Sequence, residues 1–241
     1  KYGLGETGGM WCKIITDDID GDGDLDIVAG NVGLNTQFKA SVSEPVGICY
    51  SDFDNNGSVD PLLCYYIQGK NYPYASLDEL AEQLPVMRKK FLRYENYSNA
   101  TFDQLFTPEQ MKKAITLKAT QLASCYFENR NGKFIARQLP VEAQFSALMG
   151  IVAGDWNKDG KKDLLITGNY YPWRVQLGRM DANRGWLLQG DGKGSFKVLY
   201  PQQSGFTMQG DVRDMIMVST KQYPLFIAAR NNDLLLVVKK K

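Results

Sequence analysis

The sequence predicts an all-β chain with one small helical insertion, and three observations predict it. Acidic, glycine-bearing turns recur between short apolar segments of strand length. Glycines number 23 and aromatics make up 12% of the 241 residues, a balance suited to many strands joined by tight turns. Helix-start signals are confined to a single stretch, residues 73–116.

The first acidic turn is DIDGDGDLD, from Asp18 to Asp26. Counting Asp18 as position 1, Asp18, Asp20, Asp22 and Asp26 occupy positions 1, 3, 5 and 9, with Gly23 at 6 and Asp24 at 7. DFDNNGSVD repeats the register with Asp52, Asp54, Asn56 and Asp60, Gly57 at 6 and Ser58 at 7. DWNKDGKKD repeats it again with Asp155, Asn157, Asp159 and Asp163, Gly160 at 6 and Lys161 at 7. Alternate side-chain oxygens plus a backbone carbonyl at position 7 are what a hard cation such as Ca2+ requires. Without a cation, so much like charge in one turn is repulsive. An isolated motif of this kind reads as a solvated acidic turn, but three copies in one register do not arise readily by chance. An EF-hand would place Glu at position 12, where Ala29, Leu63 and Ile166 stand, and would have flanking helices.

The flanks instead read as strands: WCKIIT and LDIVAG, VGICYS and PLLCYY, GIVAG and DLLIT. Each loop is therefore expected at the tip of a β-hairpin. Outer hairpins follow in SCYFENRNGKFIARQLP and GWLLQGDGKGSFKVLYP, each around a Gly-bearing turn, and LFIAARNNDLLLVV supplies a last one. A fourth, shortened turn in GDVRDMIMV keeps Asp211, with Arg213 near a ligand position, so a guanidinium paired with Asp211 or Asp214 can replace the cation there. In the helical stretch, Ser76 and Glu79 form a capping box, Pro85 interrupts, and Thr107 caps a segment with Pro108 in its first turn.

Composition narrows the chemistry. Basic and acidic residues balance at 28 and 27, giving no field for nucleic acid. The absence of histidine removes the usual general base and imidazole metal sites. Cys12, Cys49, Cys64 and Cys125 show no CxxC spacing and read as buried thiols, although Cys49 and Cys64 flank one turn. No apolar run reaches bilayer length, so no membrane insertion is expected of this chain. The chain starts at Lys1 rather than Met and is expected to be part of a longer polypeptide.

An inner hairpin with an acidic tip followed by an outer hairpin is what a four-stranded propeller blade needs. DIDGDGDLD, DFDNNGSVD and DWNKDGKKD resemble the calcium loops of FG-GAP repeats, also called VCBS repeats, which build integrin-α-like β-propellers and occur in large bacterial surface proteins. The resemblance implies a propeller region over residues 1–241, with about four blade-like units and the helical insertion inside the second blade. It also implies about three structural Ca2+ ions, an extracellular or cell-surface, outer-membrane-associated location, and a noncatalytic role in adhesion or in binding a protein or glycan. The family's rings commonly have more blades than this chain supplies. VEAQF and GRMDANRG are similar to segments of large VCBS-repeat proteins.

Two alternatives stay open. NYYPWR, with Tyr170, Tyr171, Trp173 and Arg174, offers an aromatic platform for carbohydrate, as does NYPY at Asn71–Tyr74; the competing assignment is that these rings pack the sheets. A polysaccharide-processing enzyme would need paired carboxylates such as Glu142, Asp181 or Asp191, and no spacing singles out a pair, so no catalytic residue is assigned.

Overall fold

The computed structural model describes residues 1–174 and 177–239. It is mostly β, with four antiparallel sheets and a few short helices. The chain divides into two compact units: residues 1–5, 10–36 and 122–241 form one, and residues 6–9 and 37–121 form the other.

Unit 1 holds three sheets. The first is ordered β1 (Lys13–Asp17), β2 (Asp26–Gly30), β7 (Cys125–Arg130), β8 (Lys133–Gln138). The second runs from β9 (Gly150–Gly154) through β10 (Asp163–Thr167) and β11 (Trp186–Gly190) to β12 (Phe196–Leu199). The third is β13 (Val212–Ser219), β14 (Pro224–Arg230) and β15 (Leu236–Lys239). The outer hairpin SCYFENRNGKFIARQLP thus completes the sheet of the first acidic loop, because β2 pairs with β7 across the whole of unit 2 in sequence.

Alternation along these strands decides what packs where. β9 lies against β1 and against β13. Between the first two sheets sit Ile19, Val28, Tyr126, Leu148, Ile151, Leu164 and Leu188; between the second and third sit Leu165, Met208, Met215, Phe226 and Ala228. β10, buried at every residue, is a continuous apolar run after Asp163, as a strand covered on both faces requires.

Unit 2 is a four-stranded sheet in the order β5 (Lys70–Pro73), β4 (Asp60–Ile67), β3 (Val46–Ser51), β6 (Ile115–Ala119). Between β5 and β6 come α1 (Leu77–Gln83), α2 (Val86–Lys90), α3 (Tyr94–Ser98) and α4 (Pro108–Lys113). Reciprocal capping boxes join Ser76 to Glu79 and Thr107 to Gln110, and Pro85 separates α1 from α2. Leu80, Leu84, Met87, Phe102 and Phe106 from this segment pack on Cys49, Leu62 and Cys64 of the sheet and on Phe53 of the loop between β3 and β4, with Phe53 stacked on Phe106 at 3.8 Å. All four cysteines are free thiols, and all but Cys12 are buried. In the β3–β4 register Cys49 faces Leu62 and Cys64 faces Gly47, so the two are not a cross-strand pair.

Candidate metal loops

Each acidic loop closes a hairpin at the same point: position 9 pairs with the residue before position 1, as Asp17 with Asp26, Ser51 with Asp60, and Gly154 with Asp163. The backbone repeats as well. Position 4 is left-handed in all three (Gly21 φ 80°, Asn55 60°, Lys158 65°), and so is position 6 (Gly23 94°, Gly57 87°, Gly160 82°). Glycine at position 6 removes the Cβ penalty where the turn is sharpest.

Hydrogen bonds follow the same scheme. The N–H of position 6 donates to the position-1 carboxylate: Gly23 to Asp18 at 3.1 Å, Gly57 to Asp52 at 2.9 Å, Gly160 to Asp155 at 2.9 Å. The N–H of position 7 donates to the side chain of position 5, Asp24 to Asp22, Ser58 to Asn56 and Lys161 to Asp159. The N–H of position 2 donates to position 9 at 3.1 Å in every loop: Ile19 to Asp26, Phe53 to Asp60, Trp156 to Asp163.

These bonds separate two roles. Asp26, Asp60 and Asp163 are buried, 1%, 3% and 0% exposed. Asp26 accepts two further bonds, from the Asn129 N–H at 2.8 Å and the Tyr126 hydroxyl at 2.9 Å, and Asp163 accepts from the Gly190 N–H at 3.0 Å. Asn129 and Gly190 lie on the strands next to β2 and β10, so position 9 ties its hairpin to the third strand of the sheet. Burial first, and then the Asp26 bond and charge, push the Tyr126 phenol far above its ordinary pKa. Burial likewise raises the Asp163 carboxyl.

Positions 1, 3 and 5 are less buried, half-exposed in the first two loops at positions 1 and 3 and exposed elsewhere. Carboxylate oxygens of Asp18, Asp20 and Asp22 lie within 4.8 Å of one another, and so do those of Asp52, Asp54 and Asp60. Asp20 Oδ1 is buried without a hydrogen-bond partner, and burial, followed by the charges of Asp26 and Asp22, raises the Asp20 pKa. An orphaned carboxylate oxygen among like charges is the chemistry a divalent cation satisfies, and the donor set, all oxygen, fits Ca2+. In the third loop Asp155, Asn157 and Asp159 are all exposed, and the Asn157 amide donates to Asp159. Asp24, Ser58 and Lys161 are also exposed, each committed through its own N–H to position 5. Lys162 turns away from its own loop to pair with Asp17 at 2.8 Å, which brings the first and third loops to the same end of unit 1.

At the fourth turn Arg213 pairs with Asp211 at 2.9 Å, and Asp211, only 3% exposed, also accepts from the Asn231 amide at 3.1 Å. Asp214 pairs with Lys13 instead. The Arg213 guanidinium lies 4.6 Å over the Tyr170 ring and Arg179 4.9 Å over Tyr171, while Trp173 meets Tyr170 edge-on at 6.1 Å. One face of each tyrosine in NYYPWR is therefore taken by a cation; Arg174 is half-buried beside them. Glu142 accepts a bond from the Tyr200 hydroxyl, Asp191 is held by the Lys193 and Ser195 N–H groups of a turn, and Asp181 is exposed.

Sequence reasoning passed over the buried polar frame. Gln144, within VEAQF, donates to Ser124 O and Leu139 O and accepts from Ser124 N–H. Asn169 donates to Asn183 O and Gly210 O and accepts from Asn183 N–H, which ties GRMDANRG to the strand end. The signal was there in the repeated Asn after the loop strand, at Asn31 and Asn169, both fully buried.

No helix among the described residues is long and apolar enough to cross a membrane. Comparison with known proteins gives no matching family model and no matching curated relative.

Proposed function

We propose that this chain is a noncatalytic binding module of a secreted or cell-surface protein, built as an FG-GAP-like propeller region and stabilised by Ca2+ in its three acidic loops. The observation that carries the reading is the repetition of one loop, with the same left-handed positions and the same hydrogen-bond scheme in all three copies, together with carboxylates converging within 4.8 Å in the first two. Asp18, Asp20 and Asp22 would hold the first ion, Asp52, Asp54, Asn56 and Asp60 the second, and Asp155, Asn157 and Asp159 the third, each with the position-7 carbonyl. Bound Ca2+ would neutralise the carboxylates and add stability through linkage to the native state. At about 10 mM Ca2+ and dissociation constants of about 10⁻⁴ to 10⁻³ M, each site contributes roughly 1.4–2.7 kcal/mol.

A binding role fits better than catalysis because two of the candidate carboxylates outside the loops are committed to structure, Glu142 to Tyr200 and Asp191 to its turn, and Asp181 is exposed. The test is thermal unfolding in chelator, in Ca2+ and in Mg2+, with the bound metal counted. A Ca2+-selective rise in melting temperature with about three ions per chain supports the reading. Equal melting in all three conditions, with no metal retained, overturns it.

A further inference from the structure

We infer that unit 2 carries a saccharide-binding cleft formed by the β4–β5 hairpin and α3, which names the ligand class for the binding module proposed above and rests on that reading. The cleft encloses about 410 Å³ and is lined by Tyr65, Gln68, Lys70, Tyr72, Tyr97 and Ser98, among others. That volume falls within the range of small-molecule sites.

The hairpin register builds the floor. Tyr65 stands directly opposite Tyr72, and Ile67 opposite Lys70, so all four side chains share one face. Tyr65 is held by edge-on contacts with Phe38 at 5.3 Å and Tyr74 at 6.1 Å, and Phe38 meets Tyr74 at 5.0 Å. Tyr97 forms part of the wall, fixed by its hydroxyl bond to the Ala75 carbonyl at 2.6 Å. Aromatic rings fixed in this way, with Tyr65 and Tyr72 half-exposed, suit the apolar faces of pyranose rings.

The polar groups point to the same class. The Tyr65 and Tyr72 hydroxyls, the Gln68 amide and the Lys70 ammonium have no hydrogen-bond partner among the described residues, leaving donors and acceptors for sugar hydroxyls. Lys70 is the single charged residue among the described residues lining the cleft, too little positive charge for a polyanion, and its ammonium can donate to sugar hydroxyls. The two-residue turn puts Gln68 at φ 50° and Gly69 at 79°, a type I′ geometry whose first position ordinarily takes Asn, Asp or Gly. A long amide in that left-handed position is locally unfavourable, and it lies on the cleft. The tyrosines of NYYPWR have less of this freedom, because a guanidinium occupies one face of each.

Calorimetry and amide NMR of the Ca2+-loaded full chain, titrated separately with cellohexaose, maltohexaose, mannohexaose and chitohexaose, test the assignment. At least one probe is expected to bind with a dissociation constant below about 1 mM and to shift the Gln68 side-chain amide signals. Gln68→Ala and Tyr72→Ala should each weaken it about fivefold or more, whereas Tyr223→Ala, in unit 1, should leave it unchanged. No heat and no Gln68 shift with any probe at about 5 mM, or undiminished binding by both cleft variants, overturns the assignment. Melting of the same samples with and without Ca2+ shows separately whether the calcium reading stands.

Discussion

Replacing Asp26 by Ala should destabilise unit 1 even in chelator, because its carboxylate serves the fold before it serves any ion. The substitution strips acceptors from three donors at once: the Ile19 N–H at 3.1 Å, the Asn129 N–H at 2.8 Å and the Tyr126 hydroxyl at 2.9 Å. The site is closed to water, with Asp26 1%, Ile19 2% and Tyr126 1% exposed. A buried donor left unsatisfied costs about 1–3 kcal/mol, so the two buried donors give roughly 2–6 kcal/mol and the half-buried Asn129 N–H adds less. Relief of the carboxylate's own desolvation offsets part of this, leaving a net loss of about 3–5 kcal/mol. For a chain of this size that is a fall in melting temperature of about 10 °C. Differential scanning calorimetry in excess chelator is the assay, since it removes any metal contribution. Tyr126→Phe, which deletes one of the three bonds and leaves the carboxylate in place, should cost only about 1 kcal/mol. If Asp26→Ala melts within about 2 °C of the parent in chelator, the assignment of position 9 to the fold is wrong.

Asp22→Ala should behave oppositely: melting unchanged in chelator, with weaker Ca2+ binding and a smaller Ca2+-induced rise, read by calorimetric titration. Arg213→Met leaves the buried Asp211 carboxylate with the Asn231 amide and removes the stacking on Tyr170, so a loss of about 2–4 kcal/mol is expected in urea unfolding; Arg213→Lys should recover only part of it. Burial raises Tyr97 to about 12, and Tyr126 is raised further, so both phenols stay protonated in the folded chain when unfolded tyrosines ionise. Their contribution is whole below about pH 10 and is lost as pH rises beyond it, and absorbance at alkaline pH should show their ionisation delayed until unfolding. Glu128 moves the other way: the Arg130 bond, and then the Arg137 charge, hold its carboxyl below its ordinary value. The stability it adds is present above the ordinary carboxylate range and fades as pH falls through it, so Glu128→Gln should flatten the acid limb of the melting profile.

Much of this was legible in the sequence because it is local. The loops, their flanking strands, both capping boxes and the terminal hairpins are each specified within about a dozen residues, the scale on which turn chemistry and periodicity act. The pairing of β2 with β7 is different. Alternation tells which face of LDIVAG is apolar but not which strand lies alongside it, and the partner stands beyond the whole of unit 2. The Gln68 cleft escaped for a related reason: NYPY was visible as an aromatic cluster, but only the two-residue turn places Tyr72 opposite Tyr65 and brings α3 to the same site.

The division of labour inside the acidic loops explains how acidic turns and an arginine-paired turn can share one framework. Positions 2 and 9 face inward, with Ile19 and Phe53 buried and Trp156 meeting Phe226 edge-on at 5.1 Å, and their mutual hydrogen bond persists in every loop. Positions 1, 3 and 5 bond within their own loop, to N–H groups such as those of positions 6 and 7, so substitution there should leave the sheet pairing in place. The second and third loops each replace one carboxylate by an asparagine amide, Asn56 bonded to Asp54 and Asn157 to Asp159, and the third adds Lys158 and Lys161 among its exposed residues. At the fourth turn the shift is complete, because Asp211 is buried and its charge is met by Arg213 from two residues away. A guanidinium supplied by the chain meets the charge without an ion, whereas in the first loop Asp20 Oδ1 is buried and unpartnered, and under the proposed function an ion would meet it. Calcium dependence should therefore be steepest for the first loop and absent from the fourth. Residue-resolved hydrogen exchange tests that ordering: chelation should expose the amides of Gly21 and Gly23 while leaving those of Val212 and Asn231 protected.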